Sequence, residues 1–256
     1  MQQVGTRKML VTFITAGDPD IQTTVPAMHA LVAGGADVIE LGIPFSDPEA
    51  DGPVIQAASE RALAAGTHFS DVLAAVTEFR RKDNATPVAL MGYLNTIESQ
   101  KDFASRAEIA GVDALIMVNL PPEAAEEFRQ RHAGPKLDLI FLVAPTTVER
   151  RITTIAQAAS GFLYYVSFKG ITGADRLAVD EVAAKVAIIR QKTSLPVCVG
   201  FGIKDGATAA QVAKIADGVV VGTALVRIMA ETEGGPVAIA DALQKRAADF
   251  RAAIDS

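Results

Sequence analysis

The 256 residues include one cysteine, no tryptophan and three histidines. A single thiol excludes a disulfide framework. Cys198 lies inside the apolar run Pro196-Val-Cys-Val-Gly200 and reads as a small core residue. His29, His68 and His132 are far apart in the chain, and none has a partner at metal-ligand spacing, so no metal site is expected. No apolar stretch is long enough to span a bilayer, and the first residues lack a signal-type apolar core. Positive charge is in short supply, with 24 Lys and Arg against 30 Asp and Glu and a net charge of −6. That balance argues against nucleic-acid and membrane surfaces, which need basic patches. The turn after the first apolar run reads Thr15-Ala-Gly-Asp-Pro19, so the GxGxxG dinucleotide fingerprint is missing as well. What is left is a cytoplasmic protein that handles a small molecule without a bound cofactor.

Hydrophobic residues are plentiful, at 50% of the chain. They gather in eight short runs: 10–15, 38–41, 87–91, 114–118, 139–143, 162–167, 196–200 and 218–221. Nearly continuous apolar runs, as opposed to alternating ones, indicate strands buried on both faces of a parallel sheet. Amphipathic stretches separate them, at 23–33, 71–82, 103–110, 124–131, 147–159, 180–192 and 207–215. A last helix is predicted over 236–254, with Pro236 at its start. Eight β-then-α units in about 250 residues match the (β/α)8 TIM barrel in number and size. The expectation is therefore an α/β chain forming a single barrel domain over residues 1–256. An open doubly wound sheet rarely needs eight units.

Barrel active sites lie at the C-terminal ends of the strands. Glu40 ends the second run, where burial disfavours a charge, and a loop carrying Asp47, Glu49 and Asp51 follows it. Such a carboxylate is a candidate acid/base. Runs seven and eight end in Gly200-Phe-Gly-Ile203 and Gly222-Thr223, and the sixth is followed by Lys169-Gly-Ile-Thr-Gly173. Glycines at these strand ends expose backbone N–H groups, and with a helix N-terminus they suit a phosphate. Tyr164 is placed to project a hydroxyl into the mouth, while Tyr165 should point the opposite way. Phe13, Ile116, Val118 and Phe201 are candidates to line an apolar pocket.

Together these motifs closely resemble the tryptophan synthase alpha subunit family. The likeness rests on Phe13-Ile-Thr-Ala-Gly-Asp-Pro19, Glu40-Leu-Gly-Ile-Pro-Phe-Ser-Asp-Pro48 with Ala50-Asp-Gly-Pro53, Tyr164-Tyr-Val-Ser167, Gly170-Ile-Thr-Gly173, Gly200-Phe-Gly-Ile203 and the Gly222-Thr223 turn. The resemblance implies a lyase that cleaves indole-3-glycerol phosphate to indole and glyceraldehyde 3-phosphate by a retro-aldol step. It implies Glu40 as the acid/base, Asp51 as the carboxylate for the indole N–H and Tyr164 near the reacting centre. Thr172 would be a lid residue, and Gly173, Gly202, Gly222 and Thr223 would hold the phosphate. It also implies a beta subunit, in an alpha2beta2 heterotetramer, that faces Pro44, Asp47 and residues 92–95. Pyridoxal phosphate would belong to that partner alone.

The chain departs from the family pattern at four places, one of which, Thr223 for the common Ser, keeps the hydroxyl and should be harmless. Few residues precede the first strand, too few for the family's N-terminal helix. Glu49 is acidic where an apolar residue is usual, and Asn119 replaces the usual Asp. Two rival readings stay open at this point: another phosphate-binding barrel enzyme, or a weakly catalytic barrel that mainly activates a beta subunit.

Overall fold

The computed structural model describes residues 7–134, 136–167, 176–200 and 202–256. Among the described residues the strands are β1 Met9–Thr15, β2 Val38–Gly42, β3 Val88–Gly92, β4 Ala114–Met117, β5 Asp138–Val143, β6 Leu163–Val166, β7 Val197–Gly200 and β8 Gly218–Val221. Each pairs in parallel with the next, and β8 pairs with β1, which closes the barrel. The predicted (β/α)8 barrel is thus the observed fold. The runs read from the sequence fall on these strands to within about a residue or two, the usual looseness of strand ends.

The helices are α1 Ile21–Ala33, α2 Pro53–Ala64, α3 Phe69–Arg80, α4 Leu94–Glu98, α5 Phe103–Ala110, α6 Ala125–Phe128, α7 Glu149–Ala158, α8 Arg176–Arg190, α9 Gly206–Ile215, α10 Thr223–Glu231 and α11 Gly235–Asp255. Two start at Asp residues whose side chains cap the first turn. Asp20 accepts the Thr23 N–H at 3.1 Å, and Asp205 accepts the Thr208 N–H at 2.9 Å. The helix expected over 124–131 is broken up. A 3₁₀ turn at Pro122–Ala124 leads into the single α turn of α6, and Arg129–Ala133 then widens into a π turn that ends at Gly134, with φ +66°. Helices α2, α4 and α10 were not foreseen. The first is built from Pro-Val-Ile-Gln-Ala-Ala-Ser-Glu, whose small residues blur the apolar stripe although Pro53 marks its first turn.

Side chains alternate along each strand, and the barrel has two cores as a result. Met9, Val11, Val38, Ala89, Ala114, Ile116, Ile140, Phe162, Cys198 and Val220 fill the interior. Their neighbours, such as Leu10, Ile14, Ile39, Leu41 and Leu90, face the helices. Cys198 is buried within the interior layer, as its apolar run predicts. At the base, Arg251 of α11 ties the ends of the chain to the sheet. It donates to Asp37 Oδ2 at 2.9 Å and to the Lys8 carbonyl at 3.0 Å, while the Leu10 N–H donates to the same Asp37 oxygen at 2.7 Å.

Candidate active site

The parity of β2 decides where Glu40 points. Val38 packs inside the barrel and Ile39 and Leu41 pack outside, so Glu40 is turned inward one step above Val38, beside Phe13 of β1. It is 1% exposed, and its Oε2 has no hydrogen-bond partner. A carboxylate so placed holds its proton. Burial, and next the negative charge of Asp51, push the Glu40 pKa up to about 8.

Asp51 arrives from the loop after β2, just before Gly52 and the first turn of α2. Burial raises its pKa to about 6, against a hydrogen bond from Tyr93 that pulls it down. Tyr93 is the residue after β3. Its ring stacks on Phe45 with centroids 4.8 Å apart, and its oxygen accepts the Ala50 N–H at 3.0 Å. Tyr93 therefore holds the Asp51 loop by a ring contact, a backbone donor and the carboxylate itself. The sequence placed Tyr93 at a strand end but did not link it to Asp51. Its signal was its position one residue past β3, on the strand beside β2. From the opposite end of α2, Arg61 donates to both oxygens of buried Asp18 at 2.7 and 2.9 Å, which fastens α2 to the loop after β1.

Glu40 and Asp51 open on one cavity of about 410 Å³ at the C-terminal mouth of the barrel. Phe13, Val118, Tyr164, Gly202, Gly222 and Thr223 also line it. Ile116 does not reach it. It lies a layer deeper, fully buried in the barrel interior, because Val118 occupies the next inward step of the same strand end. Phe201, Thr172, Gly173 and Lys169 lie outside the described residues. Met91, Leu142 and Ile55 join the wall. Sequence reasoning missed the first two because inward and outward residues look alike in a buried strand, and the third because α2 was not foreseen.

Two glycines make room for the aromatic residues of the mouth. A Cβ on Gly200 would stand 2.7 Å from Tyr164 Oη, and one on Gly42 would stand 2.7 Å from Phe13 Cζ. The first of these explains Gly200 by close packing instead of phosphate contact. Tyr165 packs on the helix side of the barrel, as alternation requires. Burial, then the Glu40 charge, pushes the Tyr164 pKa well above the usual phenol value, so its hydroxyl stays a neutral donor. Gly202 has φ +77°, and Gly222 directly precedes the first turn of α10, which begins at Thr223. These backbone groups meet the cavity where a helix N-terminus favours an anion.

Glu49 is exposed at the rim of the same cavity, and Asp47 is exposed and accepts a hydrogen bond from Ser46 Oγ at 2.6 Å. Asn119 Oδ1 accepts the Leu94 N–H at 2.7 Å, at the first residue of α4. Among the described residues no group of three or more His, Cys, Asp and Glu side chains is placed to hold a metal ion.

A closed parallel barrel with two carboxylates on a cavity at its C-terminal mouth has the architecture of the (β/α)8 barrel enzymes. Comparison with known proteins narrows the class to carbon–carbon lyases. The family model for the tryptophan synthase alpha chain matches residues 1–255. Tryptophan synthase alpha chains from Nitrosococcus oceani and Marinobacter nauticus are 56% and 52% identical over 252 residues, covering 98% of this chain and 93% of each relative. The crystal structure of tryptophan synthase subunit alpha from Legionella pneumophila superposes with a TM-score of 0.85 at 46% identity, covering 97% of this chain and 93% of the other. The chain belongs to the tryptophan synthase alpha chain family.

Proposed function

We propose that Glu40 and Asp51 carry the family's lyase reaction, the retro-aldol cleavage of indole-3-glycerol phosphate, and that their opposite ionisation near neutral pH makes it work. The observation that carries the reading is the pair itself: two carboxylates on one cavity with pKa values of about 8 and about 6. Between these values Glu40 holds a proton and Asp51 does not. Glu40 donates its proton to indole C3, and Asp51 accepts the ring N–H and stabilises the positive charge that then develops on the ring. The Glu40 carboxylate next takes the proton of the adjacent glycerol hydroxyl. As the carbonyl forms, the bond from C3 to the glycerol chain breaks and its electrons return to the ring. Indole and glyceraldehyde 3-phosphate leave, and Glu40 is again protonated.

Tyr164 offers its neutral hydroxyl beside the reacting centre. Gly202, Gly222 and Thr223 receive the phosphate at the N-terminus of α10, and Phe13 and Val118 enclose the indole. Gly173, Thr172 and Phe201 keep the phosphate, lid and pocket roles that the family resemblance gives them. No step needs a cofactor in this chain.

The partner is a beta subunit carrying pyridoxal phosphate, in an alpha2beta2 assembly in the cytoplasm. Its docking face includes Pro44, Asp47 and residues 92–95. In support, Pro44, Phe45 and Asn95 line a groove beside the mouth, together with Leu63 and Phe69. No helix among the described residues is long and apolar enough to cross a membrane. The chain works as one barrel domain.

The test follows indole release from indole-3-glycerol phosphate by the isolated chain and with a beta subunit added. Slow turnover alone and a large gain with the partner are expected. Full activity in a Glu40→Gln variant overturns the mechanism, because an amide cannot pass the proton. Asp51→Asn is expected to lose most turnover and still bind the phosphate end.

A further inference from the structure

Thr15 is the last residue of β1, 1% exposed, and its Oγ1 makes no hydrogen bond. A buried hydroxyl without a partner is costly, and native structures rarely leave one so. In front of it lies a cavity of about 10 Å³, separate from the main one, whose polar lining is Thr15, Asp51, Ser59 and Tyr93. Asp51 forms part of the wall of both cavities. A space of this size holds one water molecule, and cavities that stay dry are lined by apolar groups alone. The polar groups here come from four separate elements: the end of β1, the Asp51 loop, α2 and the start of α4.

We propose that this cavity is a binding site for a single ordered water that joins the Thr15 hydroxyl to the Asp51 carboxylate, which makes Thr15 a positioning residue for the reaction. Thr15 Oγ1 donates to the water oxygen. One water O–H donates to Asp51, and Ser59 Oγ accepts the other. Tyr93 does not compete for the water's protons, since its own O–H engages Asp51 and its oxygen already accepts from Ala50. Asp51 thus receives one donor directly and a second through water. Both favour its ionised form against the burial that opposes it. The inference rests on the proposed role of Asp51 as the carboxylate that meets the indole N–H.

Two measurements test it. A crystal structure of the ligand-free chain at high resolution is expected to show one water within hydrogen-bond distance of both Thr15 Oγ1 and an Asp51 oxygen. A dry cavity, or a water that does not touch Asp51, overturns the proposal. The pH dependence of kcat/KM is then compared for Thr15→Val, which keeps the shape and loses the hydroxyl, and Thr15→Ser, which keeps the hydroxyl. The valine variant is expected to move the acidic limb to higher pH by about one unit, with the serine variant restoring it. An unmoved limb in Thr15→Val, or the same shift in both variants, overturns the proposal. If Thr15→Val does not fold, the crystal structure and the serine profile decide, since a displaced acidic limb in Thr15→Ser contradicts the proposal. Failure of the underlying reading has a different signature: Asp51→Asn keeps full turnover while the water is still seen.

Discussion

At Glu40 the proposed function and stability oppose each other. Its folded pKa, about 8, lies far above the ordinary carboxylate value of 4.5. Below the ordinary value it is protonated in both the folded and the unfolded chain and has no effect on the balance. As pH rises from there to about 8, only the unfolded chain gives up the proton, so the group withdraws stability across that window. Glu40→Gln is therefore expected to be more stable than the parent at pH 8, by on the order of a few kcal/mol. The gain should fade towards pH 4.5, as measured by urea unfolding at several pH values. The same variant is expected to lose about 10²–10⁴-fold in turnover. With Asp51 at about 6, the rate should follow a bell in pH, rising as Asp51 ionises and falling as Glu40 gives up its proton near 8. A profile without the basic limb contradicts Glu40 as the acid. Glu49 stands exposed at the rim, and nothing in the structure assigns it a role.

At the scale of elements, the strand ends carry the site and the joints between them hold it in place. Asn119, after β4, accepts the first N–H of α4, the contact an aspartate would also make. The joint needs an acceptor oxygen at 119 and no charge. Asn119→Ala is expected to loosen α4 and weaken beta-subunit binding several-fold, and Asn119→Asp to bind as the parent does, as read by titration calorimetry. Gly200→Ala places a methyl group on Tyr164 Oη and is expected to cost about 1–3 kcal/mol. Thermal unfolding measures it. The strands were legible because buried parallel strands write apolar runs, and the Glu40 motif was legible because a charge interrupts one. Helix α2 was not, since small residues hide its stripe, and α4 and α10 were not, since α4 has only five residues and α10 starts directly on the Gly222 turn that ends the eighth run. The partition of inward residues was legible only in part. The sequence places Ile116 and Val118 on one face, but only the height of the barrel interior shows which of them reaches the cavity.

For the whole molecule, the cavity with the proposed catalytic groups lies at one end of the barrel and the tie between the chain ends at the other. Arg251 joins α11 to Asp37 and the start of β1, with both side chains about a tenth exposed. Arg251→Leu leaves Asp37 without this partner and is expected to cost about 3 kcal/mol, measured by denaturant unfolding, with kcat/KM unchanged in the fraction that remains folded. Closure of the barrel has a further consequence at its mouth. The ring of Phe13 occupies the space that a Cβ on Gly42 would need. Neither residue is free to change by itself, because a side chain at 42 displaces the ring and a smaller residue at 13 opens a gap in the substrate wall. Inheritance should treat the two positions, on neighbouring strands but 29 places apart in the chain, as a single character: a lineage that gives up the glycine must first or soon after trim the aromatic ring.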